Sequence, residues 1–109
     1  MSLPKKINIA VIGATGFTGL DLIFLLSKHP KVLVKYLCAT KNIGKKINFF
    51  DKRISNKNLP RISSINNINW NILDLVFLSL PNGEAQKIIK KNYHKNINLK
   101  FIDLSADFR

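Results

Sequence analysis

The sequence predicts an α/β fold, a doubly wound parallel sheet with helices on its faces. Three observations carry this: β-branched apolar runs at residues 7–12, 32–39, 73–80 and 99–104, helix-like segments between some of them, and turn-forming residues where the runs end. In such a sheet right-handed crossovers place the first strand centrally. They also gather the loops that follow the strands along one edge.

Residues 7–12, INIAVI, form a continuous β-branched run ended by Gly13, which reads as a buried strand. The segment 16–28, GFTGLDLIFLLSK, reads as a helix whose Leu20, Ile23, Phe24 and Leu26 cover more than one face, so it should be largely buried. His29-Pro30 stops it, with Lys28 and His29 suited to the negative helix end. Residues 32–39 give a second strand and 40–46 a polar loop with a glycine. Periodicity is weak over 47–70, where short strands near 61–65 are expected. Residues 73–80, LDLVFLSL, read as a buried strand broken by Pro81-Asn82-Gly83. The helix expected at 84–93 turns Ala85, Ile88 and Ile89 inward and Lys87, Lys90 and Lys91 outward, with an acidic start and a basic end. Residues 99–104 are expected to close the chain as one more buried strand.

With 109 residues the chain has the length of one domain, and its hydrophobic content of 46% suits a folded core. No apolar run approaches the roughly 20 residues of a membrane span, and the start lacks the pattern of a secretory signal, so a cytoplasmic protein is expected. The net charge of +12 raises nucleic acid as a partner. Lys, Asn and Ile are spread along the whole chain, and aromatics do not alternate with the lysines as a stacking platform requires, so neither nucleic acid nor membrane is expected. Cys38 is the only cysteine, which excludes an internal disulfide, and its place in VLVKYLCAT reads as a buried structural thiol. His29 and His94 read as helix-end residues, and no metal site is suggested.

The most informative stretch is GATGFTG, residues 13–19, between the first strand and the first helix. Gly13 suits the sharp turn, Gly16 lets a pyrophosphate approach the backbone at the helix N-terminus, and Gly19 lets the helix pack closely. Thr15 and Thr18 add hydroxyl donors. The spacing is a variant of the dinucleotide fingerprint in the strand-turn-helix context that the motif needs, so the fold expected is Rossmann-like. After the second strand come Thr40, Lys41, Lys45 and Lys46, with no acid before Asp51. An acid there would bind a ribose 2′-hydroxyl, whereas cations accommodate a 2′-phosphate, so NADP is the expected cofactor.

Three segments together, IAVIGATGFTGLDLIFLLSKHP, LDLVFLSLPNGEA and FIDLSADFR, resemble the amino-terminal part of the N-acetyl-gamma-glutamyl-phosphate reductase family of arginine biosynthesis. The resemblance runs from about Ile7 to Arg109 and is loosest between Ile47 and Trp70. It implies NADP-dependent reduction of N-acetyl-glutamyl 5-phosphate to the semialdehyde with release of phosphate. In that family a cysteine thiolate displaces phosphate to form a thioester, hydride reduces the thioester, and a histidine assists as acid and base. The family's cofactor positions fall on Gly13, Ala14, Thr15, Gly16, Phe17, Thr18 and Gly19, on Thr40, Lys41 and Lys45 for the adenosine phosphate, and on Leu80, Pro81, Asn82, Gly83 and Ser105 towards the nicotinamide. Asn82 stands where the family commonly has histidine; an amide hydrogen-bonds but does not titrate.

The resemblance also implies that residues 1–109 are a partial NAD(P)-binding domain, incomplete at the C-terminus, and that the intact enzyme is a homo-oligomer acting on a small-molecule substrate. No catalytic residue is assigned within this chain, and on its own it is expected to be inactive. Asp103, Ser105, Asp107 and Arg109 divide evenly between a site at the strand's carboxyl edge and a cap for a following helix. A non-catalytic NADP-binding or sensing module and a related semialdehyde dehydrogenase remain as alternative readings.

Overall fold

The computed structural model describes residues 6–55, 57–81 and 83–104. They form five strands and two helices: β1 (Ile7–Ile12), α1 (Phe17–Ser27), β2 (Val32–Cys38), β3 (Ile62–Ser63), β4 (Leu75–Leu78), α2 (Glu84–Asn92) and β5 (Lys100–Asp103). The sheet order is β3-β2-β1-β4-β5, and every pairing is parallel. β1 is therefore central, as the crossover argument requires. The expected Rossmann-like architecture is present.

Alternation along β1 sorts the core into two layers. Ile9 and Val11 join Leu20 and Ile23 of α1 on one face, while Ala10 and Ile12 join Val76, Leu78 and Ala85 of α2 on the other. In β2 the parity changes. Ile9 pairs with Val34 but Ala10 with Tyr36, so one extra residue enters β2 and Val34 and Leu37 share a face although they lie three apart. The reading of 32–39 as a second strand does not reveal that bulge.

Residues 47–70 contain short 3-10 turns at Ile47–Phe49 and Ile65–Asn67, and a further one begins at Trp70. Their anchors, Ile47, Ile54, Ile68 and Trp70, are buried, which explains a folded segment without long-range periodicity. β3 pairs only Leu37 with Ile62 and Cys38 with Ser63, next to the end of β2. On the surface, Arg53 bridges Asp21 of α1 at 2.7 Å and Asp51 at 2.6 Å, and its guanidinium lies over the Phe24 ring. That guanidinium holds the Asp51 carboxyl below the usual carboxylate range.

Two expected elements are corrected. The strand within 73–80 is shorter than the apolar run, because Leu73 closes a 3-10 turn and Ser79 and Leu80 already belong to the loop. Residues 99–104 do not form a fully buried strand: β5 is a sheet edge in which Lys100, Ile102 and Asp103 are exposed and Phe101 is half-buried against Trp70. Among the described residues one face of β5 packs against Trp70 through Phe101, while Ile102 on the opposite face is left exposed. Leu99, one residue before the strand, is the buried anchor.

Candidate functional site

The carboxyl ends of β1, β2, β3 and β4 open on a cavity of about 520 Å³, within the range of small-molecule sites. The glycine turn forms its floor. β1 ends at Ile12, which pairs with Cys38 on one side and Leu78 on the other, so the next residue must leave the sheet between two neighbours. Gly13 does so at φ 85°, and a Cβ there would run into the Ser79 carbonyl. The amides of Gly13 and Ala14 both donate to the Cys38 carbonyl, at 2.9 and 3.0 Å, which pins the turn to the end of β2.

The three glycines are bare for different reasons. A Cβ on Gly19 would strike the Gly13 carbonyl, so this glycine lets the first turn of α1 sit on the turn that precedes it. Gly16 is different. Its backbone is extended at φ −77° and ψ 166°, its nearest protein atom to a built Cβ is 3.8 Å away, and it lines the cavity. Neither packing nor conformation requires glycine there. A ligand approaching the backbone would.

Gly16 also caps α1 without any side-chain hydrogen bond, so the first-turn amides and the positive helix end face outward unblocked. The arrangement suits an anion such as a pyrophosphate. Thr15 lines the same cavity. Thr18 and Phe17 are exposed on the first helical turn outside the cavity wall, Phe17 at 93%, and Ala14 is fully buried.

Around this floor stand the neighbouring loops. Thr40 and Ile43 contribute from the loop after β2, and Leu80 and Pro81 from the loop after β4. Gly83 caps α2 at φ 88° and lies off the cavity wall. Lys41 and Lys45 are exposed on the loop, and the Lys45 ammonium sits 4.8 Å from the centre of the Phe49 ring. Asn82, Ser105, Asp107 and Arg109 lie outside the described residues.

The cavity also contains residues that the sequence did not point to. Ser64, Ile65 and Asn66 follow β3, with the Ser64 hydroxyl accepting from the Asn66 amide at 3.1 Å, and Ile88 faces them from α2. Ile43, Ile65 and Ile88 give the cavity apolar lining beside its polar groups. The available signal was Ile88 on the inward side of α2. Glu84, one helical turn earlier, is the single charged side chain lining the cavity among the described residues.

Cys38 touches the cavity but does not offer a nucleophile. It is 1% exposed, and burial pushes its thiol up to about 11, only partly offset by a contact with Ser63. The thiolate is the reactive form, so this group is inert near neutral pH. Its carbonyl, by contrast, holds the glycine turn.

Comparison with known proteins agrees with this geometry. A family model described as "Semialdehyde dehydrogenase, NAD binding domain" matches residues 8–109. A protein of Ehrlichia canis named N-acetyl-gamma-glutamyl-phosphate reductase is 43% identical over 108 residues, covering 98% of this chain and 30% of that protein. One of the same name from Brachyspira hyodysenteriae is 45% identical over 103 residues, covering 94% and 28%. The chain thus spans less than a third of the length of these relatives. Among solved structures, an aspartate semialdehyde dehydrogenase with NADP from Candida albicans superposes with a TM-score of 0.71 at 26% identity, over 94% of this chain and 30% of that one.

Proposed function

The chain belongs to the semialdehyde dehydrogenase family, as its NAD binding domain, and from that premise we propose that it is the NADP-binding part of an N-acetyl-gamma-glutamyl-phosphate reductase. The intact enzyme would reduce N-acetyl-glutamyl 5-phosphate to the 5-semialdehyde and release phosphate, a step of arginine biosynthesis. Curated relatives at 43% and 45% identity favour this substrate over that of the aspartate enzyme, which is 26% identical.

The observation that carries the cofactor reading is Gly16: a glycine that the fold does not need, at an uncapped helix N-terminus, on the wall of the cavity at the carboxyl edge of the sheet. Its absent side chain leaves room for the pyrophosphate against the first-turn amides. The apolar lining of Ile43, Ile65 and Ile88 takes the adenine. Thr40 and Lys41, with Lys45, favour a 2′-phosphate, since the loop offers cations and no carboxylate. Leu80 and Pro81 flank the nicotinamide half, to which the family resemblance also assigns Gly83, Asn82 and Ser105. When bound, the cofactor supplies the hydride.

In this reading the chain's residues bind and orient the cofactor but do not perform the acyl chemistry. Cys38 is protonated and buried at the adenosine side, so residues 1–109 hold a cofactor domain whose catalytic cysteine and histidine belong to the rest of the protein. A cytoplasmic homo-oligomer is the proposed setting. Calorimetric titration of the chain with NADP, NAD and ATP tests the reading: NADP should bind tightest. Added N-acetylglutamate semialdehyde and phosphate should yield no NADPH. ATP binding tighter than either dinucleotide, or turnover at the rate of an intact relative, would contradict it.

A further inference from the structure

The loop after β2 is held by its neighbour as well as by its own sequence. Asn42 and Gly44 are both left-handed, at φ 64° and 92°, and the Lys45 amide closes the turn onto the Asn42 carbonyl at 3.1 Å. The remaining ties come from the start of β3. The Gly44 amide donates to the Ile62 carbonyl at 2.7 Å, the Ile62 amide donates to the Lys45 carbonyl at 2.9 Å, and Arg61 Nη1 donates to the Gly44 carbonyl at 3.0 Å. Arg61 thus grips the residue between Ile43, which lines the cavity, and Lys45.

We propose that Arg61 is a specificity-determining residue for the 2′-phosphate of the adenosine ribose, acting both by fixing the loop through Gly44 and by standing beside it as a permanent cation. The inference rests on the NADP reading of this site. A guanidinium has five N–H donors and is charged at every accessible pH. The bond to Gly44 already holds it in place, so it adds positive potential without first giving up side-chain freedom. Lys41 and Lys45 are flexible, exposed ammoniums, and Lys45 is turned onto Phe49. NADP and NAD differ at this loop alone, by a phosphate dianion, so removing the cation acts on the difference between them.

Arg61 is exposed, so its replacement leaves the core intact. The test is titration of the full chain with NADP and with NAD at one fixed ionic strength, for the wild type, Arg61→Gln, Arg61→Lys and Gly44→Ala. Arg61→Gln should weaken NADP about tenfold, the scale of one charged hydrogen bond, and NAD by less than about twofold. Arg61→Lys, which keeps the charge, should recover part of the loss, and Gly44→Ala, which strains the loop and keeps the cation, should also weaken NADP more than NAD. Equal losses for both cofactors in Arg61→Gln would mark a merely structural residue and overturn the inference, as would an unchanged NADP affinity. A wild-type chain that binds NAD as tightly as NADP would overturn phosphate selection while leaving the dinucleotide site. One that binds neither would remove both.

Discussion

The glycine turn at residues 13–19 and the loop at residues 40–46 face one cavity and are held in opposite ways. In the turn, Gly13 is pressed against the Ser79 carbonyl and Gly19 against the Gly13 carbonyl, so close packing of backbone on backbone holds the shape, with the Gly13 and Ala14 amides tied to Cys38. In the loop, Gly44 has nothing within 4 Å of a built Cβ, and the shape is imposed by hydrogen bonds from Arg61 and Ile62, seventeen or more residues away. The difference teaches that the turn takes a backbone shape that packing enforces. The loop, by contrast, is set by hydrogen bonds from a neighbouring strand and is open to change.

That contrast orders the effects expected of substitution. Gly13→Ala should be the most damaging, because its Cβ meets the fixed Ser79 carbonyl and its φ is positive; together these should cost about 3 kcal/mol or more in urea unfolding. Gly19→Ala keeps an ordinary helical backbone but collides with the Gly13 carbonyl and crowds the Ala14 backbone, so a loss of about 2–3 kcal/mol is expected. A loss below about 0.5 kcal/mol at either position would show that the turn yields and would break the comparison. Gly44→Ala lies in open space and should cost only the left-handed penalty, about 1 kcal/mol.

Cys38 sharpens the same contrast through pH. Its folded thiol is raised to about 11 from an ordinary 9.0, so the folded chain retains a proton that the unfolded chain gives up. The stability from this group is complete below pH 9.0 and is lost as pH rises towards about 11. Wild type should therefore lose stability across that window faster than Cys38→Ala. Parallel slopes for the two proteins would mean that the thiol beneath the glycine turn is accessible to water.

Much of this was legible in the sequence, and the illegible part has a physical pattern. β1 is read to its ends because a β-branched run stops at a glycine, and α1 because it runs from Gly16 to a His-Pro stop. The sharp turn at Gly13 and the close packing at Gly19 follow from their place in the motif, and Gly19 packs against the turn itself. What the sequence hid depends on distant contacts. β3 is two residues long and holds its place by pairing beside Leu37 and Cys38, and the bulge in β2 changes parity without any glycine or proline to mark it. Ser64 to Asn66 reach the cavity because β3 delivers them there, and Arg61 matters because it meets Gly44 in space. Local chemistry marks the floor of the site; its far wall is assembled by topology.

Gly16 is where the two kinds of requirement separate, since it alone among the three turn glycines would carry a Cβ without a clash, and it faces the cavity. The most direct measurement is therefore Gly16→Val, followed by thermal unfolding and by NADP titration. Its extended backbone accepts valine, so the melting temperature should stay within about 4 °C of wild type. NADP affinity should fall at least about thirtyfold, near 2 kcal/mol, because the side chain occupies the pyrophosphate's place. A stable Gly16→Val chain that binds NADP as wild type does would contradict the assignment of this turn to a dinucleotide.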